Sequence, residues 1–461
     1  GGPFAGLLTA TGLMRDVALR TDATFTEVTE SAEKYQAFEE AMLPYKRVLD
    51  LWVSRHFGNE RAEDLLRDPG VDALRAVVEK ENGELPAGYR EAIRRGQALW
   101  EEKRFFHWEL EFPEAFIDME KSDWKENPGF DAVMGNPPYD VKTRTESDPN
   151  EVDFYNEEYR SVEYKVNVFG LFIELAIQNV SQGSLLGLII PNTLLANKYF
   201  EHLRKQLLEE TNLQKIVFFE DMPFSDATVE TIILITQKFT KENNRTEIVQ
   251  SNKGSFISLH RIPTELFTRF DRAEYRIFWK PEEFSIWQRL YELSDYLDIS
   301  YDLYNGIKTT NNEEMLDSQS HGIPDWKPVI RGSDVNPYHI EWDSLFVHFD
   351  KSRLKSGFDE KKHLSEQKIV VRRADNRVIA ALDDNQYFVL DTLHILNKID
   401  GIKERSLLAI LNSALATWWI RLMQRESGSI LPEVKIDFLS KFPLRKISFH
   451  ELDEHNKRIY E

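Results

Sequence analysis

The sequence contains no cysteine, and this absence excludes several kinds of site at once. None of its 461 residues carries a thiol, so the chain has no disulfide, no cysteine ligand for zinc and no thiolate nucleophile. It also lacks an apolar run long enough to span a membrane. The longest apolar stretch, Leu185 to Leu195, is interrupted by Pro191 and Asn192. We expect a cytoplasmic protein with no membrane partner and no metal site.

Basic residues are outnumbered by acidic residues. The chain has 58 Lys and Arg against 78 Asp and Glu, a net charge of −20, which at first argues against a nucleic-acid partner. The acid is unevenly distributed, because the stretch from Lys327 to Lys446 has 20 basic and 16 acidic side chains. If the chain binds nucleic acid, we expect the binding surface in that stretch.

The most informative segment is the tetrapeptide Asn136-Pro137-Pro138-Tyr139, which follows a predicted strand at Gly129 to Met134. Ligands in open α/β sheets gather outside the carboxyl ends of strands. The Asn136 side-chain oxygen and the Pro137 carbonyl can accept the two hydrogens of an amino group, which localises the lone pair on nitrogen. The two prolines hold that carbonyl rigidly, and Tyr139 offers a ring on which an extruded base can stack.

These groups indicate methylation of an exocyclic or amide nitrogen. Methylation at carbon-5 of cytosine is excluded because that reaction needs a thiolate, whereas direct transfer to nitrogen needs no covalent intermediate. The alternative interpretation of the tetrapeptide is a proline turn after a strand, without chemistry.

Four segments resemble the gamma class of adenine-N6 DNA methyltransferases, in particular the long members found in type IIG restriction-modification systems. The resemblance implies S-adenosylmethionine as cofactor, double-stranded DNA as substrate, base flipping, and catalysis by Asn136 to Tyr139. It also implies that Asn136 and Pro138 face the cofactor and that Phe224 packs on the flipped adenine opposite Tyr139. A buried core position is the alternative for Phe224. The segments are residues 106–114 with 130–139, 167–174, 187–195 and 222–229.

The cofactor-binding half of such an enzyme is not recognisable in this sequence. A strand, a glycine-rich turn and a helix normally cradle S-adenosylmethionine, but the glycines at Gly1, Gly2 and Gly6 follow no strand. We therefore expect a carboxyl-terminal portion of a larger enzyme, with the missing N-terminal part as its partner. Alone it should bind the cofactor weakly and be inactive.

The predicted fold class is α/β, with the second half of a doubly wound methyltransferase sheet, a helical N-terminal insertion and a separate α+β recognition domain. We expect a helical spacer at residues 1–105, the catalytic half at 106–260, a linker at 261–299 and a target-recognition domain at 300–461. Within the catalytic half, helices are expected at 168–180 and 194–209. Strands are expected at 185–190, 215–219 and 230–237, the last pairing with another near 247–250.

The carboxyl-terminal third resembles TaqI-like specificity domains. The similar segments are residues 305–310, 328–335, 368–373, 391–394, 409–415 and 438–444. Polar and basic loops on such a domain can contact phosphates and guanine edges. The candidate DNA contacts are Lys308, Thr309, Arg331, Arg372 and Arg373, and a solvated surface charge is the alternative for each arginine or lysine.

Two other functions stay open at this point. The tetrapeptide serves the same purpose in enzymes that methylate RNA or a protein glutamine, although the recognition-like domain and Phe224 argue against that substrate. The chain could also be a non-catalytic DNA-binding fragment, since a chain that recognises DNA but lacks the cofactor-binding half cannot transfer a methyl group.

Overall fold

The structure is a computed structural model that describes residues 5–21, 23–78, 85–118, 121, 123–220, 229–239, 244–322, 324–425 and 433–445. Contacts between residues divide the chain into two compact units, Gly1–Ile277 and Phe278–Glu461. This boundary falls inside the range 261–299 that the sequence assigned to a linker. The two units are described separately below.

The first unit begins with helices, as their apolar spacing predicts. The longest helix is stabilised at its start by a capping box between Thr24 and Glu27. Its buried face, which includes Phe38, Met42 and Leu51, packs on its helical neighbours. The helices are Ala5–Ala18 (α1), Phe25–Ser54 (α2), Arg61–Arg67 (α3), Ala73–Val78 (α4), Ala87–Lys103 (α5), Trp108–Glu111 (α6), Pro113–Phe116 (α7), Pro149–Glu158 (α8), Val168–Asn179 (α9) and Glu201–Glu210 (α10).

A six-stranded mixed sheet is the main sheet of the first unit. Its strands lie in the order β10-β9-β7-β8-β6-β3, with β3 parallel to β6, β7 parallel to β9, and the other neighbours antiparallel. The strands of this unit are Ile117–Asp118 (β1), Asp123–Trp124 (β2), Phe130–Gly135 (β3), Val141–Lys142 (β4), Val166–Asn167 (β5), Val180–Pro191 (β6), Thr211–Phe219 (β7), Thr231–Lys238 (β8), Arg245–Asn252 (β9) and Ser255–Pro263 (β10). The predicted strands and the helix at 168–180 are confirmed.

Two details of this half were predicted wrongly. The strand at 230–237 does not pair with the one near 247–250, because both edges of β8 are already occupied by β6 and β7. The expected helix at 194–209 is broken into 3-10 turns at Asn192–Leu195 and Lys198–Phe200 before α10 begins. The Asn197 side chain accepts a hydrogen bond from the Tyr199 amide and so starts the second turn separately.

The second unit is a mixed α+β structure with two four-stranded sheets. One has the order Tyr301–Asn305 (β12), Leu393–Lys398 (β23), Lys368–Arg372 (β20) and Ala380–Asp383 (β21). The other has the order Leu316–Asp317 (β14), Phe346–His348 (β18), Trp326–Ile330 (β15) and Phe388–Val389 (β22). The helices are Pro281–Glu292 (α11), Leu297–Ser300 (α12), Asn312–Met315 (α13), Glu360–His363 (α14), Glu404–Leu411 (α15), Ala414–Gln424 (α16) and Ile436–Ser440 (α17).

The strands of this unit contribute to more than one core cluster, one of which includes Ile330, Val370, Val389 and Leu393. They are Ser294–Tyr296 (β11), Tyr301–Asn305 (β12), Lys308–Thr309 (β13), Leu316–Asp317 (β14), Trp326–Ile330 (β15), Val335–Asn336 (β16), His339–Ile340 (β17), Phe346–His348 (β18), Leu354–Ser356 (β19), Lys368–Arg372 (β20), Ala380–Asp383 (β21), Phe388–Val389 (β22), Leu393–Lys398 (β23) and Pro443–Arg445 (β24). The predicted fold class, an α/β half-sheet with a helical region and a separate α+β unit, is confirmed.

Length and apolar composition also bear on membrane spans. In the described ranges no single helix satisfies both criteria for crossing a membrane. Only α15 and α16 satisfy them together, as a pair bent by 61°.

Candidate active site

The tetrapeptide Asn136 to Tyr139, called the NPPY loop below, lies at the carboxyl edge of the sheet. Strand β3 ends at Gly135, immediately before the loop, and its parallel neighbour β6 ends at Pro191. Parallel strands that end together place their following residues at one edge. The loop is therefore where a ligand of an open α/β sheet is expected.

The loop alternates buried and exposed residues. Pro137 is buried and anchors the loop, while Asn136 and Pro138 are exposed. In the part of the chain that the structure describes, no hydrogen bond uses the Asn136 side chain or the Pro137 carbonyl oxygen. Both acceptors are thus available to an amino group brought to this edge.

Tyr139 is fixed to the neighbouring strand. Its hydroxyl donates a 3.1 Å hydrogen bond to the carbonyl oxygen of Ile189 in β6, and its side chain is half-buried. Burial raises the pKa of the Tyr139 phenol, so the group stays protonated and keeps donating at neutral pH. The ring therefore has a defined orientation beside Asn136.

The far end of the loop is held as well. The amide of Val168 donates a 3.0 Å hydrogen bond to the carbonyl of Asp140, and the short strands β4 and β5 pair just beyond it. Lys142 of β4 forms an ion pair with Glu151, at 2.9 Å. Glu151 also binds Lys103 of α5, at 3.0 Å, which ties the helical region to this site.

An apolar cavity of about 460 Å³ lies beside the loop. Its walls include Asn136, Pro137 and Pro138, aromatic side chains that precede β3, and apolar residues of α9. It lies along β3, which pairs only with β6 among the described residues. Met134 of β3 is 89% exposed there. The cavity and the free strand edge together form an incompletely covered apolar surface.

Phe224, the predicted second stacking residue, lies outside the described residues. The sequence also missed three groups at this site: the Ile189 carbonyl that holds Tyr139, and the cavity walls Trp108 and Phe112. The aromatic density of residues 105–112 was a usable signal for the walls. No local pattern marks Ile189, because its contact spans 50 residues.

The predicted DNA contacts of the second unit approach one short segment, residues 389–392. The amide of Ile307, which precedes Lys308, donates to the carbonyl of Val389 at 2.7 Å. The amide of Arg373 donates to the carbonyl of Thr392 at 3.0 Å, and that of Gly332 donates to the Thr392 hydroxyl at 2.9 Å. The structure therefore brings the backbones at positions 307, 332 and 373 together.

Their side chains differ in availability. Lys308 is exposed and takes part in no ion pair among the described residues. Thr309 is only 7% exposed, and its hydroxyl donates to the side chain of Asn312. Arg331 is half-exposed but forms ion pairs with Asp334 and Asp343.

The two adjacent arginines are engaged within the unit. Arg372 donates through Nε to the carbonyl of Val335 at 2.7 Å and forms an ion pair with Asp375 at 3.2 Å. Arg373 forms an ion pair with Glu433 at 2.5 Å. Both would have to share or exchange these partners to contact a phosphate.

Comparison with known proteins agrees with the two-part architecture. A family model described as Eco57I restriction-modification methylase matches residues 29–224. A second, described as TaqI-like C-terminal specificity domain, matches residues 327–444.

Individual relatives have low sequence identity. The chain is 23% identical over 335 residues to the type II methyltransferase M.TthHB8I of Thermus thermophilus, covering 69% of this chain and 73% of that protein. It is 25% identical over 342 residues to a putative type II restriction enzyme and methyltransferase of Methanocaldococcus jannaschii, covering 69% of this chain but 27% of that protein. Among solved structures, the type IIG restriction endonuclease BpuSI is 12% identical with a TM-score of 0.34, covering 99% of this chain and 68% of that one.

The two family matches lie in different units. The first contains the NPPY loop, and the second contains Arg331, Arg372 and Arg373 but not Lys308 or Thr309. The chain carries an Eco57I restriction-modification methylase domain and a TaqI-like C-terminal specificity domain.

Proposed function

We propose that this protein is the modification and recognition part of an enzyme that methylates the N6 amino group of adenine in double-stranded DNA. S-adenosylmethionine is the proposed methyl donor, and the target adenine is rotated out of the duplex. The observation that carries the proposal is the pair of unused acceptors on the NPPY loop, the Asn136 side-chain oxygen and the Pro137 carbonyl oxygen, at the carboxyl edge of the sheet.

These acceptors address the main chemical difficulty of the reaction. The adenine amino group is a poor nucleophile because its lone pair is delocalised into the ring. Hydrogen bonds from its two hydrogens to Asn136 and Pro137 draw the lone pair back onto nitrogen and orient it. S-adenosylmethionine, when bound, supplies an electrophilic methyl group. The amino nitrogen would take that methyl group in exchange for one of its hydrogens, and the Asn136 and Pro137 oxygens would hold the nitrogen in the orientation that this needs.

Tyr139 is the proposed stacking platform for the flipped base. Its hydroxyl is already held by Ile189, so little ordering remains to be done when the base arrives. Stacking of a base on an aromatic side chain contributes about 1–3 kcal/mol, which offsets part of the cost of unstacking it. Phe224 is proposed as the second stacking residue, on the opposite face of the adenine.

The surface beside the loop supports part of the proposed cofactor site. Asn136 and Pro138 are exposed next to the apolar cavity, whose aromatic walls suit an uncharged ring system. No strand, glycine-rich turn and helix unit appears in the described ranges. The described residues therefore fit one side of the cofactor, and we propose that a further segment holds its charged end.

We propose that a cofactor-binding segment, in the same polypeptide or a partner, pairs with the free edge of β3. That edge has unpaired backbone groups, an exposed Met134 and the adjoining cavity, all of which a further strand and helix would cover. The 461-residue chain alone should then be nearly inactive, because it supplies the hydrogen-bond acceptors without a complete binding site for the methyl donor.

The second unit is the proposed target-recognition part. Lys308 is the strongest candidate for a direct phosphate contact because its ammonium is exposed and has no carboxylate partner among the described residues. Arg331, Arg372 and Arg373 are proposed to contact DNA phosphates while each keeps an ion pair with its present carboxylate partner. Thr309 would act indirectly, through its bond to Asn312.

A labelled-methyl assay tests the proposal. Duplex DNA, RNA and protein substrates are offered to the 461-residue chain and to a longer polypeptide that includes a cofactor-binding segment. Label in duplex adenine from the longer polypeptide is the expected result. Label in RNA or in a protein glutamine would transfer the reaction to another substrate class, and duplex binding without label from either protein would leave a recognition fragment.

The Asn136 side chain provides the matched variants. Replacing Asn136 by Ala in the longer polypeptide should lower transfer by roughly 100-fold or more, the scale seen when one preorganised hydrogen-bonding group is removed. Asn136→Asp keeps an acceptor oxygen and should retain more activity than Asn136→Ala. Duplex affinity should be nearly unchanged in both, because the side chain acts on the flipped base. Normal turnover by Asn136→Ala would contradict the mechanism.

A further inference from the structure

We infer that an exposed patch next to the NPPY loop, formed by Tyr164, Lys165, Lys198 and Tyr199, binds the sugar–phosphate backbone of duplex DNA beside the target base. The inference rests on the proposed function and adds a DNA-binding surface on the methylase domain itself. The predicted contacts, by contrast, all lie in the second unit. We call these four residues the tyrosine–lysine patch.

Two stacked rings form the centre of the patch. The rings of Tyr164 and Tyr199 lie 4.8 Å apart between centroids, with their planes 18° from parallel. Tyr164 is 67% exposed although it belongs to a large amphipathic residue type that is usually at least partly covered. The stack leaves one face of Tyr164 open to a ligand.

The patch is held in place by contacts from both of its segments. The amide of Tyr199 donates a 3.0 Å hydrogen bond to the Asn197 side chain. Glu163, immediately before Tyr164, accepts a hydrogen bond from the amide of His202 at the start of α10. The two segments are therefore joined by a ring stack and by a carboxylate at a helix N-terminus. A preorganised surface of this kind loses little entropy on binding.

The charges of the patch suit an anion. Lys165 and Lys198 are exposed, and neither takes part in an ion pair in the portion of the chain that the structure describes. Their ammonium groups lie 6.0 Å from the centre of the Tyr164 ring and 4.9 Å from that of Tyr199. The nearby Glu163 carboxylate is engaged by a backbone amide.

Several neighbouring cations do have carboxylate partners. Lys142 is paired with Glu151, Arg144 with Asp153, and Lys205 with Glu201. In a chain with a net charge of −20, potential carboxylate partners are abundant. Two adjacent cations without one favour an external polyanion as the partner.

The position of the patch relates it to the reaction. Tyr164 and Lys165 directly precede β5, whose Val166 and Asn167 pair with the strand that follows the NPPY loop. At about 3.3 Å per residue, Tyr164 lies within roughly 10 Å of that pairing. Lys198 and Tyr199 follow β6, the parallel neighbour of β3, so both halves of the patch lie at the carboxyl edge where the flipped base is proposed to enter.

The chemistry favours a nucleic-acid backbone over a protein partner. Two exposed lysines and the hydroxyls of two stacked tyrosines match phosphates separated by sugars, because Lys and Tyr side chains are among those that contact DNA phosphates and sugars. Phosphate contacts carry no sequence information, so this patch would hold the duplex while the second unit reads its sequence.

Duplex binding by the full 461-residue chain, followed by fluorescence anisotropy at several salt concentrations, tests the inference. Each phosphate contact contributes about 0.9 to the slope of log affinity against log salt, so Lys165→Ala with Lys198→Ala should reduce the slope by roughly 1.8. Lys205→Ala is the matched control, because this lysine lies on α10 but is paired with Glu201 at 2.6 Å, and its slope should equal that of the parent.

A second variant separates the rings from the charges. Tyr164→Ala should weaken binding several-fold while leaving the salt slope unchanged, since it removes surface contact but no cation. A parental slope and affinity in the double lysine variant, with a parental far-UV circular dichroism spectrum, would overturn the inference, as would absence of duplex binding by the parent.

The outcomes also separate this inference from the proposed function. If the longer polypeptide methylates duplex adenine while the double lysine variant binds DNA with the parental slope, only the tyrosine–lysine patch is refuted. If the slope falls as expected but label enters RNA or protein instead of duplex adenine, the patch binds DNA and the proposed reaction is refuted.

Discussion

The hydroxyl of Tyr139 donates a 3.1 Å hydrogen bond to the carbonyl oxygen of Ile189, so the NPPY loop that follows β3 is fastened near the carboxyl end of the parallel neighbour β6. This bond restrains the aromatic ring at the same edge of the sheet as the unused Asn136 side chain. The ring and the acceptors are thus presented as one rigid group rather than as a mobile loop.

Variants of Tyr139 separate the two contributions of this side chain. Tyr139→Phe keeps the ring and removes one hydrogen bond, worth about 1 kcal/mol, so methyl transfer by the longer polypeptide should fall by roughly five-fold. Tyr139→Ala also removes stacking, worth about 1–3 kcal/mol, and should lose considerably more. Single-turnover rates on a duplex with adenine at the target position measure methyl transfer. A separate duplex with 2-aminopurine at that position, which has no 6-amino group to methylate, reports base flipping by its fluorescence. Equal rates for Tyr139→Ala and the parent would refute the stacking role.

A second comparison tests the contacts proposed for the second unit. Lys308→Ala removes an exposed cation and should lower the salt slope of duplex binding by about 0.9 with little change in stability.

Arg372→Ala removes a guanidinium that donates to the carbonyl of Val335 and pairs with Asp375. It should lower stability by roughly 1–3 kcal/mol, because the carbonyl loses its donor. Urea unfolding and anisotropy titrations, run on both variants, distinguish these effects. A Lys308→Ala variant with the parental slope would remove Lys308 from the DNA surface.

Several features that depend on neighbouring residues could be predicted from the sequence, whereas features that depend on contacts between distant residues could not. Strand β3 and helix α9 were predictable because each is a short, mostly apolar segment that can be recognised from consecutive residues. The position of β8 between β6 and β7 was not, because strand order depends on pairings between distant segments. The break between Leu195 and α10 depended on one local bond, from the Tyr199 amide to Asn197.

Site residues followed the same division. The NPPY loop could be proposed as a site from four consecutive residues, because the two acceptors and the ring all lie within them. Arg372 donates to the distant Val335 as well as pairing with Asp375, three residues away, and Arg373 pairs with the distant Glu433. Charges that look available in the sequence are therefore already used in the fold.

Gly129 sets the entry of the chain into β3, and its replacement should be costly. Its φ is +124°, and an added Cβ would lie 2.5 Å from the carbonyl oxygen of Asn179 and 2.7 Å from the amide nitrogen of Ser181. Backbone atoms cannot move aside easily, so Gly129→Ala should lower the free energy of unfolding by roughly 3 kcal/mol or more.

Gly183 is the matched control for this substitution. It also has a positive φ, +82°, but an added Cβ would meet no atom within 4 Å. Gly183→Ala should therefore cost only about 1–2 kcal/mol, from backbone strain alone. Urea unfolding of both variants measures the difference, and equal losses would show that the contacts around Gly129 relax without cost.

His363 should make the second unit sensitive to acid. The side chain is completely buried, stacks on Phe388 with centroids 5.2 Å apart, and its Nδ1 accepts a 3.3 Å hydrogen bond from the amide of Val389. Protonation would place a hydrogen against that amide. Burial, the largest cause, lowers the pKa of His363 to about 4.

The sign of the pH dependence follows from this lowered pKa. Between the ordinary value of 6.5 and about 4, the unfolded chain binds a proton that the folded chain does not, so stability falls as the pH decreases through this range. When the pH is below both pKa values, the lowered pKa of His363 reduces the free energy of unfolding by about 3 kcal/mol relative to neutral pH. Burial lowers the pKa of His394 as well, and this adds an effect of the same sign.

Replacing His363 by Phe tests this origin of the acid sensitivity. The variant keeps a ring against Phe388 and should be less stable at pH 7, because the Val389 amide loses its acceptor. Its unfolding free energy should fall less between pH 6.5 and 4.5 than that of the parent. His321→Asn, at an exposed histidine paired with Asp317, should keep the parental slope. Urea unfolding at a series of pH values measures all three slopes, and parallel curves for His363→Phe and the parent would assign the acid sensitivity to other groups.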